Sequence, residues 1–192
     1  MNLVSCVRCS GEWCKPDIAV KETPADCPRR LATEALAQAD DIRRGDEDVK
    51  RLLEIARSVE MDGYRVWPRV QELIEFAKRL GVERIGVAFC AGLRKETSSL
   101  ARILESHGFE VASVACTVNS GCNPVGQAHV LNAQDVDIAV VMGLCVGHDM
   151  LFHRYVRAPV TNLVVKDRVT CHSPAAPLLS FYWQDTLVKK ES

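Results

Sequence analysis

Apolar residues recur at helical spacing through the first half of this 192-residue chain, over 31–43, over 47–59 and from Pro68 to Gly81. A run of apolar positions three and four residues apart is typical of an amphipathic helix. Pro68 is tolerated in a first turn because its missing N–H would have no partner there, and a glycine such as Gly81 commonly ends a helix. The pattern predicts a helical layer over 29–80.

From residue 81 onward, short apolar runs alternate with helical ones. The predicted strands are 84–90, 110–116, 137–142 and 160–165, and the predicted helices between them are 95–107, 124–131 and 148–155. Alternation of this kind implies right-handed crossovers and a parallel sheet. The sequence therefore predicts an α/β domain over 81–192 with a parallel four-stranded sheet in the order 2-1-3-4, whose topological switch lies between the first and third strands.

Residues 1–28 show little hydrophobic periodicity, but they contain four cysteines. Cys6 and Cys9 form a Cys-x-x-Cys pair, Cys14 follows, and Cys27 stands directly before a proline. Because a segment without an apolar core needs ligation to hold a shape, we expect these thiols to bind a metal. The chain is thus predicted to consist of a metal-binding segment, a helical layer and an α/β domain.

The spacing of these thiols is compatible with either zinc or an iron-sulfur cluster. Structural zinc sites usually have two paired Cys-x-x-Cys motifs, whereas this segment has one. A final Cys-Pro, as at Cys27, occurs in ferredoxin-type runs that hold a [4Fe-4S] cluster. We therefore favour an iron-sulfur cluster slightly over zinc. Four buried structural thiols are the alternative, and they would require a core that the segment lacks.

A second group of cysteines follows the predicted strands: Cys90, Cys116, Cys122 and Cys145. Three of them, Cys90, Cys122 and Cys145, stand just before predicted helices, where free N–H groups and the helix dipole favour the thiolate. The group predicts a second metal or thiol site at the carboxyl edge of the sheet. Packing of small buried thiols at strand ends is the alternative, and we assign Cys171 to it.

Polar residues near these cysteines extend the candidate site. His148 is a candidate base or ligand beside Cys145, with Asp149 as its orienting partner, although a lone histidine is often a surface residue. Cys90, Cys145 and His148 are accordingly the candidate catalytic residues.

Three charged residues, Lys166, Asp167 and Arg168, interrupt an apolar run at the end of the last strand. They predict either a balance for cluster charge or a pocket for a small anionic or thiol-bearing ligand. Arg168, or as the less favoured choice Lys166, would supply the positive charge, and Asp167 would orient the arginine. A strand that emerges into solvent is the alternative explanation of such charges.

Composition narrows the class of protein. Lys and Arg number 24 against 25 Asp and Glu, a net charge of −1, so no basic patch favours nucleic acid or an acidic membrane. The longest apolar run, 138–147, is too short to span a bilayer, and the N-terminus lacks the features of a signal peptide. We expect a cytoplasmic protein. In such a reducing compartment its nine cysteines are more often ligands, redox groups or buried thiols than disulfide partners.

Several motifs together resemble a known family. They are Gly63-Tyr64, RVQELIEFAKR at 69–79, IGVAFCAGL at 85–93, CNPVGQA at 122–128, GLCVGHD at 143–149, APVT at 158–161 and KDR at 166–168. The chain resembles the bacterial and archaeal family catalogued as domain of unknown function 1847, whose members look like metal-binding proteins with an N-terminal cysteine cluster. The chain departs from the family pattern at 116–122. This segment is short and has a single cysteine at the strand end, whereas members often have a cysteine pair and a longer insert there.

Two hypotheses for function follow from these features. In the first, the chain is a redox or sulfur-handling enzyme that uses Cys90, Cys122 and Cys145, with a redox partner or a small anionic or thiol ligand. In the second, it is a zinc-stabilised structural, binding or regulatory module whose other thiols are inert. The oligomeric state is not predicted by any of these patterns.

Overall fold

The elements of the protein are seen in a computed structural model that describes residues 3–7, 9, 14–15, 17–119 and 121–188. Part of the predicted metal-binding segment 1–28 therefore lies outside the described residues. The helices are α1 Pro28–Leu31, α2 Thr33–Gly45, α3 Glu47–Gly63, α4 Arg69–Leu80, α5 Arg94–Ser106, α6 Pro124–Ala133, α7 Val146–Tyr155, α8 Ala176–Leu179 and α9 Phe181–Leu187. The strands are β1 Arg84–Phe89, β2 Glu110–Ala115, β3 Ile138–Met142 and β4 Val160–Val164.

The sheet has the predicted architecture. All three strand pairings are parallel, and the order is β2-β1-β3-β4. Helices connect the strands, as the alternating pattern requires. The predicted α/β fold and its strand order are confirmed, and the switch point lies between β1 and β3.

Apolar cores cover both faces of this sheet. On one face α4 and α5 contribute side chains such as Ile74 and Leu104, and on the other α6 and α7 contribute Leu131 and Phe152. Every residue of β3 is buried, which is typical of a central parallel strand. These two layers hold the strand ends in fixed positions.

Helix α4 shows how the local sequence sets an element's limits. Pro68 is the extended residue before its first turn, and Gly81 ends it with a φ of 78°, a left-handed conformation that glycine adopts at little cost. The predicted helix from Pro68 to Gly81 is therefore confirmed.

Contacts divide the chain into one unit of residues 1–58 and a second of residues 59–192. In the first unit α1 begins directly after Cys27, and Arg30 donates to the carbonyl oxygen of Thr23 at 3.1 Å. No residue of α1 or α2 is buried, so helical propensity and surface pairs hold these helices more than an apolar core does. The predicted three-part division, with a boundary near residue 80, stays a prediction.

The sequence pattern does not predict the two short helices near the C-terminus. Apolar residues of α8 and α9, among them Leu179 and Phe181, are largely exposed. Hydrophobic periodicity identifies a helix that buries one face, and α8 and α9 bury no such face. Among the described residues, no helix is long and apolar enough to cross a membrane.

Candidate functional site

Two of the candidate cysteines stand side by side at the carboxyl edge of the sheet. Cys90 follows the last residue of β1 and Cys116 follows the last residue of β2, and the terminal residues of those strands are register partners. The amide of Cys116 donates to the carbonyl oxygen of Phe89 at 2.7 Å, which continues the ladder by one residue. Both side chains pack on the face covered by α6 and α7. The parallel register thus brings together thiols 26 positions apart in sequence.

A third thiol approaches the same point from the loop after β2. The Sγ atoms of Cys122 and Cys116 lie 4.0 Å apart. The amide of Asn123 donates to the carbonyl oxygen of Cys116 at 2.7 Å, so the loop closes on itself between the two cysteines. The side chain of Asn123 also accepts from the Gly126 amide and caps α6. Cap and loop closure together hold the Cys122 thiol beside that of Cys116.

The charge partner of Cys90 is Lys166, 76 positions away. The ammonium Nζ of Lys166 donates to the Cys90 Sγ at 2.6 Å. Burial raises the pKa of the Cys90 thiol, but the hydrogen bond and charge of Lys166 and the backbone N–H of Gly92 lower it, and the net pKa lies below the ordinary value. Cys90 therefore has the environment of a stabilised thiolate.

Lys166 reaches Cys90 by crossing the end of the middle strand beside Gly143. Strand β3 lies between β4, which precedes Lys166, and β1, which precedes Cys90. Gly143 follows β3 with a φ of 65°, and a Cβ there would collide with Leu93 and lie 3.7 Å from the Cε of Lys166. The left-handed φ and the close approach of Leu93 therefore favour glycine here, and the Lys166 side chain passes at ordinary van der Waals distance.

Cys116 has the opposite electrostatic environment. Its side chain is 3% exposed. Burial raises the pKa of the Cys116 thiol, and the charge of Cys90 raises it further, although the backbone N–H of Ala91 donates to its Sγ at 3.3 Å. Neighbouring thiols at this edge are thus differentiated, with Cys90 favoured as thiolate and Cys116 as thiol.

Arg168 and Cys145 form a second pair of cation and thiol. A guanidinium nitrogen of Arg168 lies 3.4 Å from the Cys145 Sγ, and this contact raises the pKa of the arginine. Cys145 is the residue directly before α7, as predicted. The predicted ligand pocket requires Arg168 to face this edge of the sheet, and it does so. Binding of a ligand stays a prediction.

Asp167 holds the loop in which Arg168 lies. Its Oδ1 accepts from the amides of Val169 at 2.9 Å and Thr170 at 3.1 Å. Hydrogen bonds from Thr170 and Val169 lower the pKa of the Asp167 carboxyl. The carboxylate thus shapes the backbone after β4, and no hydrogen bond joins it to Arg168 in the described part of the chain.

The pair His148 and Asp149 is arranged differently from the sequence expectation. The Asp149 carboxylate accepts from the side-chain amide of Asn162 at 3.2 Å and lies 3.7 Å from Nε2 of His153. It therefore faces β4 and the next turn of α7, and burial raises its pKa. His148 is half-buried, and within the described ranges no hydrogen bond joins it to Cys145. Its proposed role as base or ligand stays untested.

Gln127 belongs to this site although sequence reasoning did not select it. Its side chain is fully buried, and its Nε2 donates to the carbonyl oxygens of Phe89 at 3.2 Å and Val114 at 2.7 Å. Helix α6 thereby fixes the ends of β1 and β2 directly beneath two of the thiols. A glutamine among the apolar residues of α6 was the available signal, because a buried amide needs partners.

The N-terminal cysteines are partly brought together. The amide of Cys9 donates to the carbonyl oxygen of Cys6 at 3.1 Å, which forms a tight turn in the Cys-x-x-Cys pair. The amide of Ser5 donates to the carbonyl oxygen of Asp26 at 3.1 Å, so the backbones next to Cys6 and Cys27 meet. Cys27 is buried, whereas Cys14 is exposed. The chemistry of these donors fits a metal, although no three His, Cys, Asp or Glu side chains in the described ranges are arranged as a ligand set.

A cleft of about 830 Å³ lies beside β4, whose residues from Asn162 to Val164 form part of its lining. Its apolar wall includes Leu93 and Val165, and its polar residues include Arg69, Glu96 and His172. Leu93 donates through its amide to the carbonyl oxygen of Cys90 at 2.8 Å, so this wall adjoins the backbone of the thiol site.

Comparisons with known proteins agree with the resemblance seen in the motifs. The model of the family described as protein of unknown function (DUF1847) matches residues 27–121 and 117–163. A protein of Methanocaldococcus jannaschii described as uncharacterized is 34% identical over 204 aligned residues, which cover 97% of this chain and 99% of that protein. No solved structure gives a significant match.

Proposed function

Because the chain belongs to the DUF1847 family, whose description assigns no activity, we propose from its own geometry that it is a thiol-dependent redox or sulfur-handling protein. The observation that carries this proposal is the 2.6 Å contact of the Lys166 ammonium with the Cys90 Sγ, beside two further thiols. A thiolate is the nucleophile in thiol chemistry, and cations stabilise it. Such perturbed, differentiated groups are concentrated at functional sites.

The reaction class follows from this arrangement. The Cys90 thiolate attacks one sulfur of a disulfide R–S–S–R′, a bond forms between Cys90 and that sulfur, and R′–S⁻ leaves with the electron pair of the broken bond. With a substrate persulfide R–S–SH, Cys90 attacks the outer sulfur, the S–S bond breaks, and R–S⁻ leaves with its electron pair, so that Cys90 carries the persulfide. Arg168, beside Cys145, supplies a second positive charge that favours anionic thiol compounds.

Selective alkylation tests this function. The anaerobically purified protein is treated with limiting iodoacetamide at pH 7, and peptide mapping gives the rate at each cysteine. We expect Cys90 to react faster than Cys171, which is more exposed but has no cation on its sulfur among the described contacts. Equal or slower reaction of Cys90 in metal-free protein contradicts the proposal. A metal ion that protects Cys90 and is lost in Cys116→Ser would favour a metal site at this edge.

A second candidate function, metal binding by the N-terminal segment, rests on a separate observation. In support of it, the backbone turns between Cys6 and Cys9, and the bond from Ser5 to Asp26 joins the backbones next to Cys6 and Cys27. Cys14 is the fourth donor of this set. Bound there, zinc would act as a structural ion, whereas a [4Fe-4S] cluster would supply one-electron chemistry.

Metal analysis separates the alternatives for this segment. An anaerobically purified brown protein with iron and sulfide supports a cluster, and a colourless one with stoichiometric zinc supports the structural module. Replacing Cys6, Cys9, Cys14 and Cys27 together by serine should abolish the bound metal and loosen residues 1–28, because ligation and folding are coupled there. Metal content that is unchanged in this variant contradicts the assignment.

A further inference from the structure

The three thiols at the carboxyl edge differ in access to solvent. Cys90 is half-buried, Cys116 is 3% exposed, and Cys122 is exposed. Resting on the thiol function proposed above, we propose that they form an ordered relay in which Cys116 resolves a disulfide made at Cys90 and Cys122 then carries the disulfide to the surface. The relay gives each thiol a separate role in one reaction.

The first transfer, from Cys90 to Cys116, is set by strand pairing. Neighbouring strands are about 4.8 Å apart, and Cys90 and Cys116 are lateral neighbours one residue beyond the last register pair. Bridged cysteines have Cα atoms about 4.4–6.8 Å apart. Both side chains also lie on the same face of the sheet. The general spacing of neighbouring strands therefore falls within the range that a disulfide can span.

The second transfer, from Cys116 to Cys122, is set by the loop. The two Sγ atoms are 4.0 Å apart and a disulfide bond is about 2 Å long, so the sulfurs must approach by about 2 Å. Cys122 is exposed and follows Gly121, whose φ is 92°, and rotation of its side chain supplies much of this movement. The bond from the Asn123 amide to Cys116 keeps the two backbones together while the side chain turns.

Each step balances in atoms and electrons. Cys90 first forms a mixed disulfide with the substrate and releases R′–S⁻. The Cys116 thiolate, formed by loss of its proton to solvent, attacks the Cys90 sulfur and expels R–S⁻, which leaves a Cys90–Cys116 disulfide. The Cys122 thiolate then attacks the Cys116 sulfur and expels the Cys90 thiolate. The net result is two electrons passed to the substrate disulfide and a Cys116–Cys122 disulfide that an external thiol can reduce.

Lys166 gives the relay its direction. Thiol–disulfide exchange favours the leaving group whose negative charge is better stabilised. When Cys122 attacks the Cys90–Cys116 disulfide, Cys90 leaves as a thiolate against the ammonium of Lys166, 2.6 Å away. Cys116 has no comparable cation among the described contacts. The exchange therefore favours a disulfide between Cys116 and the exposed Cys122, and it restores Cys90 as the nucleophile.

Trapping experiments test the order of the relay. The metal-free reduced protein is mixed with half an equivalent of 2-hydroxyethyl disulfide, quenched with N-ethylmaleimide and mapped by non-reducing peptide mass spectrometry. Wild type should give a Cys116–Cys122 disulfide with Cys90 alkylated. Cys122→Ser should trap a Cys90–Cys116 disulfide, and Cys116→Ser should trap the mixed disulfide on Cys90. Cys171→Ser is the matched control and should behave as wild type.

Different results overturn the relay, the order of its steps, or the proposed thiol function. A mixed disulfide on Cys90 that accumulates in wild type as it does in Cys116→Ser overturns the relay and leaves the thiol function standing. A Cys116–Cys122 disulfide that forms equally fast in Cys90→Ser overturns the order. Absence of any Cys90 adduct in all variants overturns both proposals. Cys122→Ser changes an exposed side chain, so its trapped species decides the matter even where Cys116→Ser fails to fold.

Discussion

Lys166→Met removes the cation beside Cys90 while retaining most of the side chain's apolar length. The ammonium stabilises the Cys90 thiolate from 2.6 Å, so the variant should raise the pKa of that thiol. A hydrogen bond to a charged group contributes about 1.5–3 kcal/mol, and because both groups are partly exposed, solvent screening favours the lower end. About 1.5 kcal/mol corresponds to roughly a tenfold loss of thiolate below the pKa.

The rate of alkylation should fall less than the thiolate population. A thiolate whose conjugate thiol is less acidic is intrinsically more nucleophilic, with a Brønsted coefficient of about 0.4–0.5. A tenfold loss of thiolate is therefore offset by about a threefold gain in reactivity. We expect the variant to react about threefold more slowly than wild type at low pH and about threefold faster once both thiols are ionised.

Stopped-flow alkylation of Cys90 over a range of pH values measures both limits. The two pH–rate profiles should cross, a feature that simple loss of structure does not produce. Lys78→Met is the matched control, because Lys78 lies near the C-terminus of α4, at the opposite edge of the sheet, and its profile should coincide with wild type. Parallel profiles for Lys166→Met and wild type, without a crossing, would refute the assignment of Lys166 as the thiolate partner.

Three further substitutions test neighbouring parts of the site. Gln127→Met removes the amide that joins the ends of β1 and β2, but it also removes a buried Oε1 that has no hydrogen-bond partner among the described residues. Urea unfolding should therefore show a loss of about 1 kcal/mol, and an unchanged midpoint argues against this role. Gly143→Ala places a Cβ in a left-handed position against Leu93, so it should lower the melting temperature, and a wild-type melting temperature would contradict this close approach. Asp149→Asn should stabilise the protein at pH 7. Burial raises the pKa of the Asp149 carboxyl, so this group contributes its full stability below the ordinary pKa near 3.9 and loses it as the pH rises. A gain in the free energy of unfolding that persists unchanged at pH 3 counts against this explanation.

The positions of the strands and of the helices that pack on them could be predicted because burial leaves a periodic pattern in the local sequence. A helix on a sheet buries every third or fourth residue, as α4 does with Leu73, Ile74 and Ala77, and a central strand such as β3 buries every residue. Alternation of strands and helices then leaves few topologies. The same logic placed Cys90 and Cys145 at the carboxyl edge, because residues that follow parallel strands meet there.

Hydrogen bonds between a side chain and a distant strand or helix produce no such pattern in the local sequence. Asp149 was expected to orient its neighbour His148, but the turn of α7 directs it toward Asn162 on β4. The hydrogen bonds of Gln127 to two strand ends depend on how α6 packs, which no spacing in the sequence expresses.

The sequence by itself determined that this protein is a parallel α/β fold with thiols at one edge, because periodicity and residue order are local properties. Tertiary structure alone decided which thiol has a lowered pKa and which a raised one. Strand order sets Lys166 two strands away from Cys90, and its side chain crosses the end of β3 beside Gly143 to bring the ammonium to the sulfur. Electrostatic stabilisation falls off with distance between atoms and not with separation along the chain, so only the folded arrangement assigns these roles.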